Sequence, residues 1–140
     1  MKELGLSLHH IGIATENIEQ TAELLKVFGY MSDGEGQKED LLQGVYVAFL
    51  KHPRAPLVEL IGEGSIASKS PIREILKRNG TTVYHLCFET ENIDETVSEL
   101  RKQGYLPTSK KQPSLIDGRD VIFLYHRSNC LIELLGRKAT

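Results

Sequence analysis

The chain has 140 residues, 40% of them hydrophobic and 26% charged, with a formal net charge of -2 and a pI near 6.2. That is the balance of one compact globular domain, and a chain of this length buries roughly 68–70% of its unfolded surface, enough for a core without staples. The slight acidity gives no electrostatic reason to expect nucleic acid or an anionic membrane, and no apolar run nears the roughly 20 residues that span a bilayer.

The N-terminus opens on Met1-Lys2-Glu3 without the apolar stretch of a signal peptide, so a cytoplasmic location is expected. His10 to Ala14 reads as a strand in which Ile11 and Ile13 alternate with smaller residues. Asn17 is placed to cap the next helix, with Gln20 at its third position, and Ile18, Ala22 and Leu25 fall on one helical face. Gly29 follows where a left-handed residue ends a helix. Residues Asp33 to Asp40 are polar and Gly-bearing, the composition of a turn or loop. Gly44 to Leu50 and Leu57 to Ile61 read as strands joined around His52 and Pro53. Ser70-Pro71 then opens a short linking helix over about 70–79, Ser70 as cap and Pro71 at the first position, packed through Ile72, Ile75 and Leu76 and ended by Asn79-Gly80.

From His85 onward the same order returns. Set over one another, the segments from His10 to Tyr30 and from His85 to Tyr105 agree at about nine of 21 positions without a gap. Val47 to Gly62 agrees with Val121 to Gly136 at about eight of 16. Asn92 and Glu95 repeat the cap, Ile93, Val97 and Leu100 repeat the apolar face, and Gly104 repeats the stop. Asp120 to Leu124 and Cys130 to Leu135 repeat the strands. The chain is therefore two modules, about 6–64 and about 82–137, each a strand, a helix and a run of strands, and the class is α+β. The two cysteines, Cys87 and Cys130, form no CxxC pair and read as reduced thiols in or near the core.

The repeat duplicates two residue types that an aliphatic core does not favour. One is a histidine early in the first strand of each module, His10 and His85. The other is a glutamate within LVELIG and LIELLG, Glu59 and Glu133. A carboxylate among such neighbours is seldom fully buried unless paired. Alternation along a strand puts Glu133 on the face opposite Ile132 and Leu134, and His10 opposite Ile11 and Ile13. Pseudo-two-fold symmetry of the modules would gather His10, Glu59, His85 and Glu133 about one divalent metal. Mixed nitrogen and oxygen donors suit Zn, Co, Ni, Mn or Fe, and four protein ligands leave positions open for water or substrate. His52 and His126 also recur, but at strand connections, and read as exposed turn residues. Lys110, Lys111 and Arg119 read as solvated surface, and Glu89, on the strand face of His85, as a solvated strand end.

On the segments LHHIGIA, GVYVAFL, SPIREILKRNG, VYHLCFE, VIFLYHR and LIELLG the chain resembles the vicinal oxygen chelate superfamily (glyoxalase, bleomycin-resistance and dioxygenase proteins), most of all its methylmalonyl-CoA epimerases. The resemblance runs from about Leu8 to Gly136. It implies paired βαβββ modules forming a curved, half-open β-barrel with the helices outside, and it makes His10, His85 and Glu133 metal ligands with Glu59 at the fourth position. It further implies a metal-dependent isomerase or epimerase that moves a proton at a carbon next to a chelated carbonyl, a small-molecule substrate of the acyl-CoA kind, and a homodimer. The superfamily also contains glyoxalase I-like lactoylglutathione lyases and non-catalytic binding or resistance proteins. A carboxylate that serves some members as acid–base group falls at Val47 here, so the candidate bases are Glu133 and Glu59, with Glu89 behind them.

Overall fold

The computed structural model describes residues 3–138. The chain divides into two compact units, residues 10–84 and residues 85–140 together with the N-terminal stretch through His9. In the first, β1 (Ser7–Ala14, whose first three residues belong to the second unit) is followed by α1 (Ile18–Leu25), which runs into a 3-10 turn over Lys26–Phe28. The strands β2 (Met31–Ser32), β3 (Lys38–Asp40), β4 (Val45–Lys51) and β5 (Leu57–Glu63) come next, then α2 (Arg73–Asn79). The second unit repeats the order with β6 (Thr82–Glu89, whose first residues belong to the first unit), α3 (Ile93–Lys102), β7 (Leu106–Pro107), β8 (Gln112–Pro113), β9 (Asp120–Tyr125) and β10 (Leu131–Leu135).

Each unit holds an open, mixed sheet. Its strands run β2-β4-β5-β1 in the first and β7-β9-β10-β6 in the second, with β3 beside β4 and β8 beside β9. The strand that opens each module pairs in parallel with the strand that closes it, Gly12 opposite Glu59 and Cys87 opposite Glu133. The last two strands pair antiparallel, Phe49 opposite Glu59 and Phe123 opposite Glu133. The helices follow from the duplicated Thr-Glu-Asn-Ile sequence. Thr15 Oγ1 accepts the Asn17 N–H at 3.0 Å and lies 2.7 Å from Thr21 Oγ1, while Asn17 Oδ1 accepts the Gln20 N–H at 3.0 Å. Thr90, Thr96, Asn92 and Glu95 repeat this with 3.2, 2.6 and 3.0 Å. Both turns thus satisfy helix N–H groups that would otherwise lack partners.

Each sheet carries its helix on one face. Ile18, Ala22 and Leu25 pack on Ala48, Leu50, Val58 and Leu60. Ile93, Val97 and Leu100 pack on Ile122, Leu124, Ile132 and Leu134, with Leu6 of the N-terminal stretch. On the opposite face Ile72, at the cap of α2, and Leu76 within it pack against Ala14, Val45, Val47 and Ile61.

Four local expectations change. The segment 33–40 is not all loop, because Lys38–Asp40 pairs with Val45–Val47 as β3. The linking helix begins at Arg73 rather than Pro71, and Ser70 Oγ, although buried, makes no hydrogen bond among the described residues. Ile72, fully buried, occupies the cap position, so packing and not side-chain capping sets where α2 starts. Cys130 is exposed, Cys87 alone being core. His52 and His126 are half-buried hinges: each Nδ1 accepts a backbone N–H two residues on, at 2.9 Å in both copies. Each ring lies against a tyrosine, Tyr30 at 5.0 Å and Tyr105 at 4.9 Å between centroids.

Candidate metal centre

Within the first unit His10 sits on the face of β1 away from α1 and is wholly buried. The parallel register with β5 sets Glu59 beside it, His10 Nε2 lying 3.4 Å from Glu59 Oε1. Phe49, opposite Glu59 on β4, meets the imidazole edge-on, with centroids 5.5 Å apart and an interplanar angle of 81°. The second unit builds the same group. His85 Nε2 lies 3.1 Å from Glu133 Oε1, and Phe123 meets His85 at 5.3 Å and 85°. Glu59 and Glu133 are 9% and 3% exposed.

Burying a carboxylate this deeply is costly unless positive charge offsets it. A neutral imidazole offers one lone pair and one N–H, and a carboxylate offers lone pairs only. Each pair is therefore chemically equipped to hold a proton or a cation between nitrogen and oxygen. Imidazole nitrogen and carboxylate oxygen, the donors of each pair, suit a borderline divalent ion. All four residues are among the described residues whose ligand-type side chains could hold a metal.

Sequence reading found both pairs because they are duplicated. It did not assign a role to Phe49 and Phe123, although the repeated Phe-Leu of VAFL and VIFL marks them. Val47 is buried on the sheet face that carries His10 and Glu59, packed with Ile61 and Ile72. Asp40, buried beside it in register with Val45, turns its Oδ1 to the Gln43 N–H at 3.0 Å and closes the β3–β4 turn. Arg119 is not solvated surface: its Nη2 donates to Glu89 Oε2 at 2.6 Å and its side chain is only 11% exposed, while the Glu89 side chain is ion-paired and still 41% exposed. Elsewhere in the first unit, the Ser65 hydroxyl and backbone N–H both donate to Glu39 and hold its carboxyl below the ordinary range. The Glu39 charge in turn raises the hydroxyl pKa of Tyr46.

Duplicated βαβββ units, each with a buried His–Glu pair, define a glyoxalase-type protein, and residues 9–123 match the model of the Glyoxalase/Bleomycin resistance protein/Dioxygenase superfamily, to which the chain belongs. Its curated relatives include the mitochondrial methylmalonyl-CoA epimerase of Dictyostelium discoideum, 30% identical over 91% of this chain and 76% of that one. Another is the ethylmalonyl-CoA/methylmalonyl-CoA epimerase of Cereibacter sphaeroides, 29% identical over 91% and 95%. A hypothetical protein of Bacillus halodurans C-125 shares the fold with a TM-score of 0.81 at 25% identity over 97% of both chains. The methylmalonyl-CoA epimerase of Mycobacterium tuberculosis shares the fold with a TM-score of 0.79 at 21% identity over 95% of this chain and 88% of that one. Both the α+β class and the likeness to methylmalonyl-CoA epimerases that the sequence implies are thus met. No helix among the described residues is long and apolar enough to cross a membrane.

Proposed function

We propose that the protein is a metal-dependent epimerase of 2-substituted malonyl thioesters, of the methylmalonyl-CoA type, with His10, Glu59, His85 and Glu133 holding one divalent ion. The observation that carries this reading is the exact duplication of a buried His–Glu pair, in the same register and backed by the same phenylalanine, in a chain whose relatives are epimerases. An ion held by these residues supplies the charge that stabilises an oxyanion as the neighbouring carbon loses its proton.

The protein's own contribution is to fix the donors and to move the proton. The aromatic edges of Phe49 and Phe123 hold the two imidazoles in one plane each, so that Nε2 faces the glutamate. Strand pairing on both sides of β5 and β10 fixes the backbone of Glu59 and Glu133. With Val47 apolar, the proton must pass through a ligand carboxylate. Glu133, the more deeply buried of the two, is taken as the base on one side of the reacting carbon. Glu59 serves the opposite face.

This reading makes the protein a cytoplasmic homodimer. Two thiols and no disulfide fit a reducing compartment. Leu24, Val27, Phe28 and Met31, which are 62–84% exposed in the first unit, supply apolar surface for a partner copy. The test of function is solvent deuterium uptake into methylmalonyl-CoA by metal-loaded protein. Exchange that needs the metal and is lost in Glu133→Gln supports the epimerase. Turnover of the methylglyoxal–glutathione adduct without exchange into the thioester would move the reading to a lactoylglutathione lyase.

A further inference from the structure

The two units agree at the His–Glu pairs and differ two strand positions further on. In the first unit, Ala14, Val45 and Ile61 are roofed by Ile72, at the cap of α2, and by Leu76 within it. Under the repeat their counterparts are Glu89, Arg119 and Leu135. Here an apolar floor of Cys87, Val121 and Leu135 is covered by Ile116, and an ion pair stands where the first unit has a helix. Arg119 Nη2 donates to Glu89 and Nε to the Gly136 carbonyl, both at 2.6 Å.

The turn before β9 is built around this arginine. Asp117 and Gly118 are both left-handed, with φ of 52° and 68°. The Arg119 N–H donates to the Ile116 carbonyl at 2.9 Å, and its carbonyl accepts from the Ser114 N–H and hydroxyl at 2.9 and 2.8 Å. Two of the five guanidinium N–H donors are thereby committed, and among the described residues nothing accepts from Nη1. Glu89 is two alternations along β6 from His85, so the pair shares the face that carries the His85–Glu133 pair. The Gly136 carbonyl lies about 10 Å along the strand from Glu133. A guanidinium fixed by two hydrogen bonds with one edge left over is a preorganised receptor for a carboxylate.

We propose that Arg119, held by Glu89, is a specificity-determining residue that receives a second carboxylate of the substrate, carried a few bonds beyond the chelating oxygens. Methylmalonyl-CoA then remains a substrate of the class, and among 2-substituted malonyl thioesters the protein would bind more tightly those whose substituent at the reacting carbon ends in an acid. The inference rests on the metal reading given above.

The probes are two 2-oxo acids with the same chelating head, 2-oxoglutarate and 2-oxovalerate, of which only the first carries a distal carboxylate. Their affinities are measured by calorimetry on metal-loaded protein, with metal content and melting temperature recorded for each variant. Wild-type protein is expected to bind 2-oxoglutarate about tenfold or more tightly than 2-oxovalerate, since a charge-assisted hydrogen bond is at stake. That ratio should fall to near one in Arg119→Gln, fall partway in Arg119→Lys, and rise in Glu89→Gln, which releases the guanidinium. A wild-type ratio near one overturns the proposal, as does a ratio that Arg119→Gln and Arg119→Lys leave unchanged while the melting temperature drops. If 2-oxovalerate binds with the metal and not without it, the metal reading survives either result. Wild-type protein that takes up no metal, or that binds neither acid when loaded, overturns the proposal too, the first of these together with the metal reading.

Discussion

Phe123 meets His85 edge-on and Phe49 meets His10 in the same way, so under the proposed function each is a positioning residue for a nitrogen donor. Phe123→Leu keeps an apolar side chain but loses the ring edge. It should weaken metal binding by about 10–100-fold, the usual cost of removing a support behind a ligand, as read by competition with a chromogenic chelator. An unchanged affinity would reduce the contact to packing. Glu133 carries the heavier expectation: Glu133→Gln should lower exchange at the substrate carbon by about 100-fold or more, the usual contribution of a general base. Glu39 gives a pH prediction with a definite sign. Its folded pKa is lowered by Ser65, so its contribution to stability is present above the unfolded value and fades as pH falls through the folded one. Ser65→Ala should raise the Glu39 pKa in a carbon-13 titration and make acid unfolding less steep.

The elements themselves were largely written in the chain. Where a signal occurs twice, both copies form: the Asn17 and Asn92 caps, the apolar faces of α1 and α3, and the glycines that end them. Gly29 and Gly104 have φ of 92° and 94°, and a Cβ on either would come within 2.7 or 3.0 Å of Nε2 of His52 or His126. Backbone strain and collision then act together. Gly104→Ala should destabilise by about 1–3 kcal/mol by chemical unfolding, and Gly104→Ala with His126→Ala should recover part of it. What the sequence hid is what occurs once. The start of α2 depends on burying Ile72, which Ser70-Pro71 gives no hint of. β3 exists because β4 offers it an edge, not because Lys38, Glu39 and Asp40 favour strand. Arg119 reads as solvated surface for the same reason: comparison of the chain with itself highlights what the halves share, and Arg119 has Val45 as its counterpart.

At the scale of the whole chain, two units repeat one plan, and the proposed chemistry needs the His–Glu pairs of both on one ion. The candidate ligands were legible because the residue types recur at matching strand positions. Their gathering on one ion is an expectation from the pseudo-two-fold symmetry of the repeat, because periodicity gives the face of a strand and not a distance between two modules. Metal removal should therefore lower the melting temperature of the whole molecule, since an ion that binds only the native state stabilises it by mass action. The most direct measurement is the metal content per chain, by plasma mass spectrometry, of wild type, His10→Ala and His85→Ala after dialysis against a limiting buffer of Co or Zn. One ion per chain, lost in either variant, is the expected result. Two ions per chain, each surviving the loss of the other unit's histidine, or none in the wild type, would contradict a single shared centre.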